Sequence, residues 1–154
     1  MKYRMVIEGN QEAIFKVFKE SFKQDYQRIK GKELDENKLK KGFTYQKNAS
    51  KKENKVNQAT IKLLEYKEPS CYKVFYESEK SRKITGYSLK QVDEDHVEMI
   101  VEEVLDQVKY EEDGSKKYIA KIKKNDDIKD AGFFKKRQYR YLSKIGKENK
   151  VATQ

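Results

Sequence analysis

The sequence has no tryptophan and only one cysteine, one histidine and one proline among its 154 residues. Cys71 therefore has no internal disulfide partner, and His96 alone excludes a histidine-rich metal site. The seven glycines are scattered and form neither a phosphate-binding loop nor a dinucleotide fingerprint. No apolar run is long enough for a transmembrane helix, and the first residues alternate where a signal peptide would need an apolar block. These absences predict a cytoplasmic protein with no metal and no cofactor.

Nucleophilic catalysis is also poorly supported by the residues present. Cys71 and His96 lie in separate strand-like segments, so two ordinary strand residues are favoured over a Cys–His pair. The acidic residues are abundant but do not follow EF-hand spacing, and no serine sits in a nucleophile elbow.

The composition is highly charged, with 40% charged and 36% hydrophobic residues, which leans toward disorder. Against this, 12% of the residues are aromatic and they are patterned, so a few of them can build a core. The formal net charge of +10 favours nucleic acid, anionic lipid or acidic proteins as partners. Because the lysines are interspersed with acids, a merely soluble surface is the favoured alternative.

The N-terminal half begins with an alternating strand over residues 1–8. Asn10 is a good N-cap for a helix from about Gln11 to Lys30, and Gly31 is a typical stop. The charged stretch that follows, up to Lys41, offers only Leu34 and Leu39 as anchors to the core.

Further alternating segments joined by short turns predict an antiparallel meander. They are residues 42–48, 55–66, 71–78, 82–92 and 96–108. Within residues 109–127, Asp113-Gly114 is a hairpin signal, and Tyr118, Ala120 and Ile122 alternate after it, which favours one more strand. The alternative is a loop that leads straight into the last helix.

The C-terminal stretch from Ile128 to Lys150 predicts a long amphipathic helix. Because an isolated helix of this kind is unstable in water, its apolar stripe must be covered, and we expect the sheet to wrap around it. The apolar stripe consists of Ala131, Phe134, Tyr141, Leu142 and Ile145. The opposite, basic face consists of Lys136, Arg140, Lys144 and Lys147, with Arg137 at its edge.

Three stretches resemble an uncharacterised family of small Gram-positive bacterial proteins in the START-like, polyketide-cyclase (SRPBCC) superfamily. They are Gly31-Lys32-Glu33-Leu34, Lys41-Gly42-Phe43-Thr44-Tyr45 and Gly132-Phe133-Phe134-Lys135-Lys136-Arg137. The resemblance implies an α+β helix-grip fold, in which a curved antiparallel sheet of about six or seven strands wraps around a long C-terminal helix. We expect a single domain over residues 1–150 and a frayed tail over 151–154.

The resemblance also implies a cavity between the sheet and the last helix, which superfamily members use for apolar ligands. It carries no catalytic motif. In this chain the alternation of the strands gives the candidates for the lining, and inward tyrosines favour a wet or ligand-filled interior because each hydroxyl needs a partner. The alternative is that these residues pack without a cavity. The candidates are Tyr3, Tyr45, Ile61, Tyr72, Tyr76, Tyr87, Met99, Val101, Glu103, Phe134, Tyr141 and Ile145.

Glu103 is the one carboxylate that the alternation turns inward. A buried carboxylate needs a raised pKa, or a hydroxyl or lysine partner, so Glu103 is a candidate polar anchor or, in a cyclase- or hydrolase-type enzyme, a general base. The favoured alternative is a strand end at which Glu103 turns to solvent, and a non-enzymatic binding protein is favoured over an enzyme.

The basic face of the last helix is the second candidate site. Lys136, Arg137, Arg140, Lys144 and Lys147 would bind nucleic acid or an anionic surface, and an ordinary solvated face is the alternative. Insertion into lipid is disfavoured here because the apolar stripe of the helix is expected to be covered by the sheet.

Overall fold

The computed structural model describes residues 1–52, 55–122 and 127–145, with side chains described outside 48–57. The architecture is α+β, with an open curved sheet and a few helices. Two α-helices are bounded within these residues, α1 (Gln11–Lys30) and α2 (Phe133–Gln138). The strands are β1 (Lys2–Glu8), β2 (Thr44–Lys52), β3 (Lys55–Lys67), β4 (Cys71–Glu77), β5 (Ser81–Gln91), β6 (His96–Tyr110), β7 (Lys116–Ala120) and β8 (Ile128–Asp130).

The sheet follows the predicted meander and adds strands at one side. The order is β2-β3-β4-β5-β6-β1-β8, and β7 also pairs with β6. All pairings are antiparallel except that of β8 with β1. The strand predicted after Asp113-Gly114 is confirmed as β7. The second strand is predicted over residues 42–48, whereas β2 begins at Thr44 and continues to Lys52.

α1 begins and ends where the sequence predicts. The side chain of Asn10 accepts hydrogen bonds from the backbone amides of Glu12 and Ala13, which would otherwise lack partners in the first turn. Gly31 ends the helix in the left-handed conformation, with φ of 71°. In the connection that follows, Leu34 and Leu39 are both buried and anchor the charged segment, as predicted.

The core lies between one face of the sheet and α1, which supplies most of the helical contacts with that face. The ring of Phe18 stacks on Tyr87 at a centroid distance of 4.1 Å and also on Tyr72 at 5.8 Å. One turn later, Phe22 contacts Tyr45 edge to face at 5.8 Å. The prediction that the C-terminal helix occupies this central position is therefore wrong.

The predicted helix over residues 128–150 is shorter and interrupted. Its first three residues form β8, which pairs with β1, so the helix begins only at Phe133. It is broken at Tyr139 and resumes over residues 140–145. Residues 146–150, the end of the predicted helix, lie outside the described residues, as does the predicted tail over 151–154.

The C-terminal segment nevertheless contacts the sheet, through part of the predicted stripe. Ala131 and Leu142 are buried as predicted, together with Tyr139, which the prediction did not include. Lys135 is half-buried at a spacing of four residues from both Ala131 and Tyr139. Phe134 and Tyr141 are exposed instead, so a lysine and not a phenylalanine occupies the middle of the inner face.

The strand β6 changes both its neighbour and its buried face along its length. Residues up to Glu102 pair with β1 on one side, whereas residues from Asp106 onward pair with β7. In the first part Val97, Met99 and Val101 face the core. In the second part the buried side chains are on the other face, where Asp106 is 1% exposed and pairs with Arg82.

Candidate functional site

Two clefts open on the sheet face that carries the core. The first, which we call the α1 cleft, has a volume of about 340 Å³ and lies between the second half of α1 and strands β2–β4. The second, which we call the α2 cleft, has a volume of about 360 Å³ and lies between β5–β6 and α2.

The two clefts share a floor because they flank the same pair of strands. Val74 and Tyr76 on β4 belong to the α1 cleft, and their register partners on β5, Thr85 and Lys83, belong to the α2 cleft. Directly opposed residues in a sheet are about 5 Å apart, so the floors are contiguous. We call the combined depression, between α1 on one side and α2 on the other, the trough.

The α1 side of the trough carries a charged cluster around Asp25. The carboxylate of Asp25 accepts hydrogen bonds from the hydroxyl of Tyr45 and from Lys47, at 3.1 Å from its Nζ, and also pairs with Arg28. Burial alone would raise the pKa of Asp25, but these hydrogen bonds outweigh it and hold the pKa below its ordinary value. Burial and the adjacent carboxylate raise the pKa of Tyr45, so its hydroxyl stays a donor at neutral pH.

The α2 side carries a second charged pair, between Glu103 and Lys135. The Nζ of Lys135 donates to the carboxylate of Glu103 at 2.7 Å and also lies 3.3 Å from the side-chain oxygen of Gln138. The same ammonium group is 5.1 Å from the ring centroid of Tyr3. Because the side chains of Glu103 and Lys135 are only 18% and 24% exposed, this pair fixes the rotation of α2 on the sheet.

Aromatic residues close the trough where α1 and α2 approach the same strand. Tyr87 on β5 stacks on Phe18 of α1 and meets Tyr139 edge to face at a centroid distance of 6.0 Å. Burial, followed by the neighbouring hydroxyl of Tyr139, raises the pKa of Tyr87. Burial also raises the pKa of Tyr72, which stacks beside Tyr87. These hydroxyls are therefore neutral hydrogen-bonding groups at physiological pH.

Comparison with protein families now places the chain. The profile described as Domain of unknown function (DUF3284) matches residues 1–124, most of the sequence. The chain belongs to the DUF3284 family. No curated protein matches it. The matched part of this DUF3284 protein spans β1 to β7, and therefore contains both Asp25 and Glu103, whereas α2 lies beyond it. Of the three stretches on which the predicted resemblance to an uncharacterised family rests, the first two lie within the match and Gly132–Arg137 lies outside it.

No helix among the described residues of the DUF3284 protein is long and apolar enough to cross a bilayer. Over the same residues, no three His, Cys, Asp or Glu side chains come together in a way that would hold a metal ion.

Half of the predicted lining residues line the trough. Tyr45, Ile61, Tyr72 and Tyr76 lie in the α1 cleft. Tyr87 and Glu103 lie in the α2 cleft. The favoured alternative, that Glu103 turns to solvent at a strand end, is wrong, because its side chain is 18% exposed and pairs with Lys135.

The other predicted lining residues lie elsewhere. Tyr3 is half-buried beside Lys135, while Met99 and Val101 are fully buried in the core and are not part of either cleft. Ile145 is half-buried outside both clefts.

Phe134 and Tyr141 do not face the sheet, and the prediction that they do is wrong. Phe134 is 83% exposed and Tyr141 is 48% exposed. For Phe134 the physical reason is the rotation of α2, which the contact between Lys135 and Glu103 fixes with this ring on the outside, whereas Tyr141 lies beyond α2, after the break at Tyr139.

The predicted basic face is exposed as far as it is described. Lys136, Arg137, Arg140 and Lys144 are all exposed, and Lys147 lies outside the described residues. They do not lie along one continuous helix, because of the break at Tyr139.

Sequence reasoning missed several polar residues of the trough. A signal for Lys135 is present in the sequence: a lysine is one of the partners that an inward Glu103 could take, and Lys135 lies midway between Ala131 and Tyr139 at helical spacing. Nothing comparable marked Asp25 on α1, because carboxylates are common on exposed helix faces. The missed polar residues that line the trough are Ser21, Gln24, Asp25, Arg28, Lys47, Lys83, Thr85, Lys135, Gln138 and Tyr139.

Proposed function

We propose that the trough binds a small amphipathic ligand between the sheet and the two helices. Each cleft has a volume within the range of about 300–1,000 Å³ that is usual for small-molecule sites. The observation that carries the proposal is the register pair Val74–Thr85, which joins the two clefts across β4 and β5. A ligand that spans both clefts would contact α1 and α2 together.

The chemistry of the lining determines the class of ligand. The middle of the trough is formed by Val74, Tyr76 and Thr85, while charged groups lie toward Asp25 on one side and Glu103 on the other. Because each carboxylate already has a basic partner, a ligand meets paired donors and acceptors at the ends, and the ammonium group of Lys83 lines the α2 cleft opposite Tyr76. This arrangement suits a compact apolar or amphipathic body with a polar group at one or both ends.

The element order supports assignment of the domain to the helix-grip, START-like superfamily. A strand and a helix precede a meander, and a C-terminal helix packs back on the same sheet face through Tyr139 and Leu142. The short, interrupted α2 departs from the long terminal helix of that fold, and α1 takes over much of its packing. On this proposal residues 1–150 form one cytoplasmic domain.

Native mass spectrometry of the protein purified from its own host tests the proposal. We expect a fraction of the protein to carry an additional small-molecule mass that disappears after extraction with organic solvent. Repeated absence of any retained mass, in protein purified without detergent, would contradict the proposal.

A substitution at the junction of the clefts links that mass to the trough. Thr85→Trp fills the shared floor and should abolish the retained mass, whereas Ile84→Trp places the same ring on the opposite face of β5 and should leave it unchanged. Circular dichroism establishes that both variants are folded. Equal loss in both variants, or retention in both, would show that the ligand does not occupy the trough.

A further inference from the structure

The tip of α2 presents two phenylalanine rings to solvent. Phe134 is 83% exposed and Phe133 is 68% exposed, the two largest exposed fractions among the large hydrophobic side chains of the described residues. The rings contact each other edge to face at 5.6 Å. Exposed aromatic pairs of this kind are costly in water and are typical of surfaces that meet a partner.

The same segment is rich in positive charge. Residues 131–147 contain six basic residues and no acidic residue. Residues 38–52 have the same balance, but their two aromatic residues, Phe43 and Tyr45, pack in or against the core and are not exposed. Lys135 turns inward to Glu103, and this contact fixes the orientation of α2. Lys136, Arg137 and Arg140 are exposed, and the first two lie one helical turn from the phenylalanine pair. We call these five residues, Phe133, Phe134, Lys136, Arg137 and Arg140, the aromatic–basic surface.

We propose that the aromatic–basic surface docks the protein reversibly on an anionic phospholipid membrane. Basic side chains are attracted by the negative surface potential of such a membrane, and aromatic rings next to them enter the headgroup layer. Both components are required, because neither two rings nor three basic residues bind a bilayer durably alone. The prediction that the apolar side of this helix is covered by the sheet does not hold for Phe134, which removes the objection to lipid contact.

The geometry favours a bilayer over nucleic acid. Single-stranded nucleic acid needs aromatic faces on which successive bases stack, set along a basic groove. Here the edge-to-face contact turns the two rings against each other, and they project from a helix end where neither cleft opens. A projecting pair of aromatic rings beside basic side chains suits the anionic headgroup layer of a bilayer.

Sedimentation with vesicles tests the proposal on the full chain. We expect binding to vesicles of phosphatidylcholine mixed with phosphatidylglycerol, little binding to phosphatidylcholine alone, and a steep decrease with added salt. Replacing Lys136, Arg137 and Arg140 together by Gln should weaken binding roughly 100-fold, at about fivefold for each basic residue. Phe133→Ser with Phe134→Ser should weaken it about tenfold, which corresponds to roughly 60 Å² of apolar surface kept in water.

A matched triple variant separates this surface from the overall charge. Lys38, Lys40 and Lys41 are exposed and precede β2, and their replacement by Gln removes the same three charges. Binding should be close to that of the unmodified protein. An equal loss in the two triple variants, or equal binding to both kinds of vesicle, would overturn the proposal.

The absence of tryptophan allows a direct test of insertion. Phe134→Trp introduces a single fluorophore that should shift to shorter wavelength with anionic vesicles. Val92→Trp, at an exposed residue that follows β5, should not shift. A shift of the first variant with a single-stranded oligonucleotide but not with vesicles would assign the surface to nucleic acid and overturn membrane docking, as would the absence of any shift.

Discussion

Lys135 on α2 donates a hydrogen bond of 2.7 Å to the carboxylate of Glu103 on β6. The two residues are the polar centres of two otherwise apolar inner faces, because Glu103 follows Val101 at strand spacing and Lys135 lies between Ala131 and Tyr139 at helical spacing. The pair therefore selects one rotation of α2, and that rotation places Gln138 and Tyr139 in the trough. It also explains why the phenylalanines of α2 are outside.

Lys135→Met should destabilise the protein by about 1–2 kcal/mol, because it leaves the half-buried carboxylate of Glu103 without its partner. For a chain of this length we expect the melting temperature to fall by about 2–8 °C in thermal unfolding followed by circular dichroism. Lys136→Met is the control: its side chain is exposed, so its effect should stay within about 0.5 kcal/mol. Equal effects of the two substitutions would show that the contact does not hold α2.

Phe18→Ala and Phe134→Ala make the same chemical change at positions of opposite environment. Phe18 is 6% exposed and stacks on two tyrosines, so its loss should lower the free energy of unfolding by about 3–5 kcal/mol. Phe134 is exposed, and its loss should change the free energy by less than about 0.5 kcal/mol. Urea denaturation measures both. A larger effect at Phe134 than at Phe18 would show that the C-terminal helix, and not α1, covers the centre of the sheet.

The Asp25 cluster should contribute to acid sensitivity. The pKa of Asp25 is lowered in the folded protein, so the unfolded chain binds more protons as the pH falls below about 5. The stability that the carboxylate contributes is present above its ordinary pKa of 3.8 and is lost as the pH falls through the folded value. Asp25→Asn should therefore flatten the decrease of unfolding free energy in urea titrations at acidic pH.

Two further variants test whether the Asp25 cluster is the source of the acid sensitivity. Tyr45→Phe removes one hydrogen bond to Asp25 and should flatten the same limb in part. Glu94→Gln changes an exposed carboxylate in the β5–β6 turn and should leave the limb unchanged. A pH profile that is identical in all three variants would exclude the cluster as its source.

The buried tyrosines should make the protein sensitive to alkali. Burial raises the pKa values of Tyr45, Tyr66, Tyr72 and Tyr87 above 10.0, so the folded state binds more protons than the unfolded state above that pH. Their contribution to stability is fully present below pH 10 and is lost as the pH rises through the folded values. Phenolate absorbance should therefore appear in two stages, the second coinciding with loss of the circular dichroism signal.

The guanidinium-unfolded chain provides the reference for that titration, since all eleven tyrosines should then ionise together near their ordinary pKa of about 10. If the folded protein titrated all its tyrosines in the same single step, with its secondary structure intact, the aromatic core described above would be wrong.

Local signals in the sequence were sufficient for most of the fold. Asn10 and Gly31 mark the two ends of α1 in the sequence, because helix capping depends on a few adjacent residues. The alternation of the strands places Tyr45, Tyr76 and Tyr87 on one face of the sheet. The choice of which helix covers that face was not local. Both helices have apolar stripes, and only the tertiary contacts of Phe18 and Phe22 decide in favour of α1.

The trough could be predicted in its floor but not in its helical walls. Strand parity identifies inward residues directly, whereas the rotation of α2 depends on a charged residue, Lys135, that an apolar periodicity excludes from the inner face. The helix breaks at Tyr139 although the residues around the break include no proline or glycine that would predict it. Polar residues on inner faces are therefore where sequence patterns fail in this protein.

The change of neighbour along β6 has a mechanical consequence for the trough. Glu103 is the last residue of β6 held from the β1 side: its backbone amide donates to the carbonyl of Met1, and its carbonyl accepts from the N-terminal amine of Met1, both at 2.8 Å. Two residues further on, the carbonyl of Leu105 accepts from the backbone amide of Lys121, and the ladder with β7 begins at Asp106, while β5 pairs with β6 on the other side throughout. The backbone beneath the α2 cleft is thus hydrogen-bonded along both edges, so its floor resists bending, and a change in the width of that cleft requires α2 itself to move.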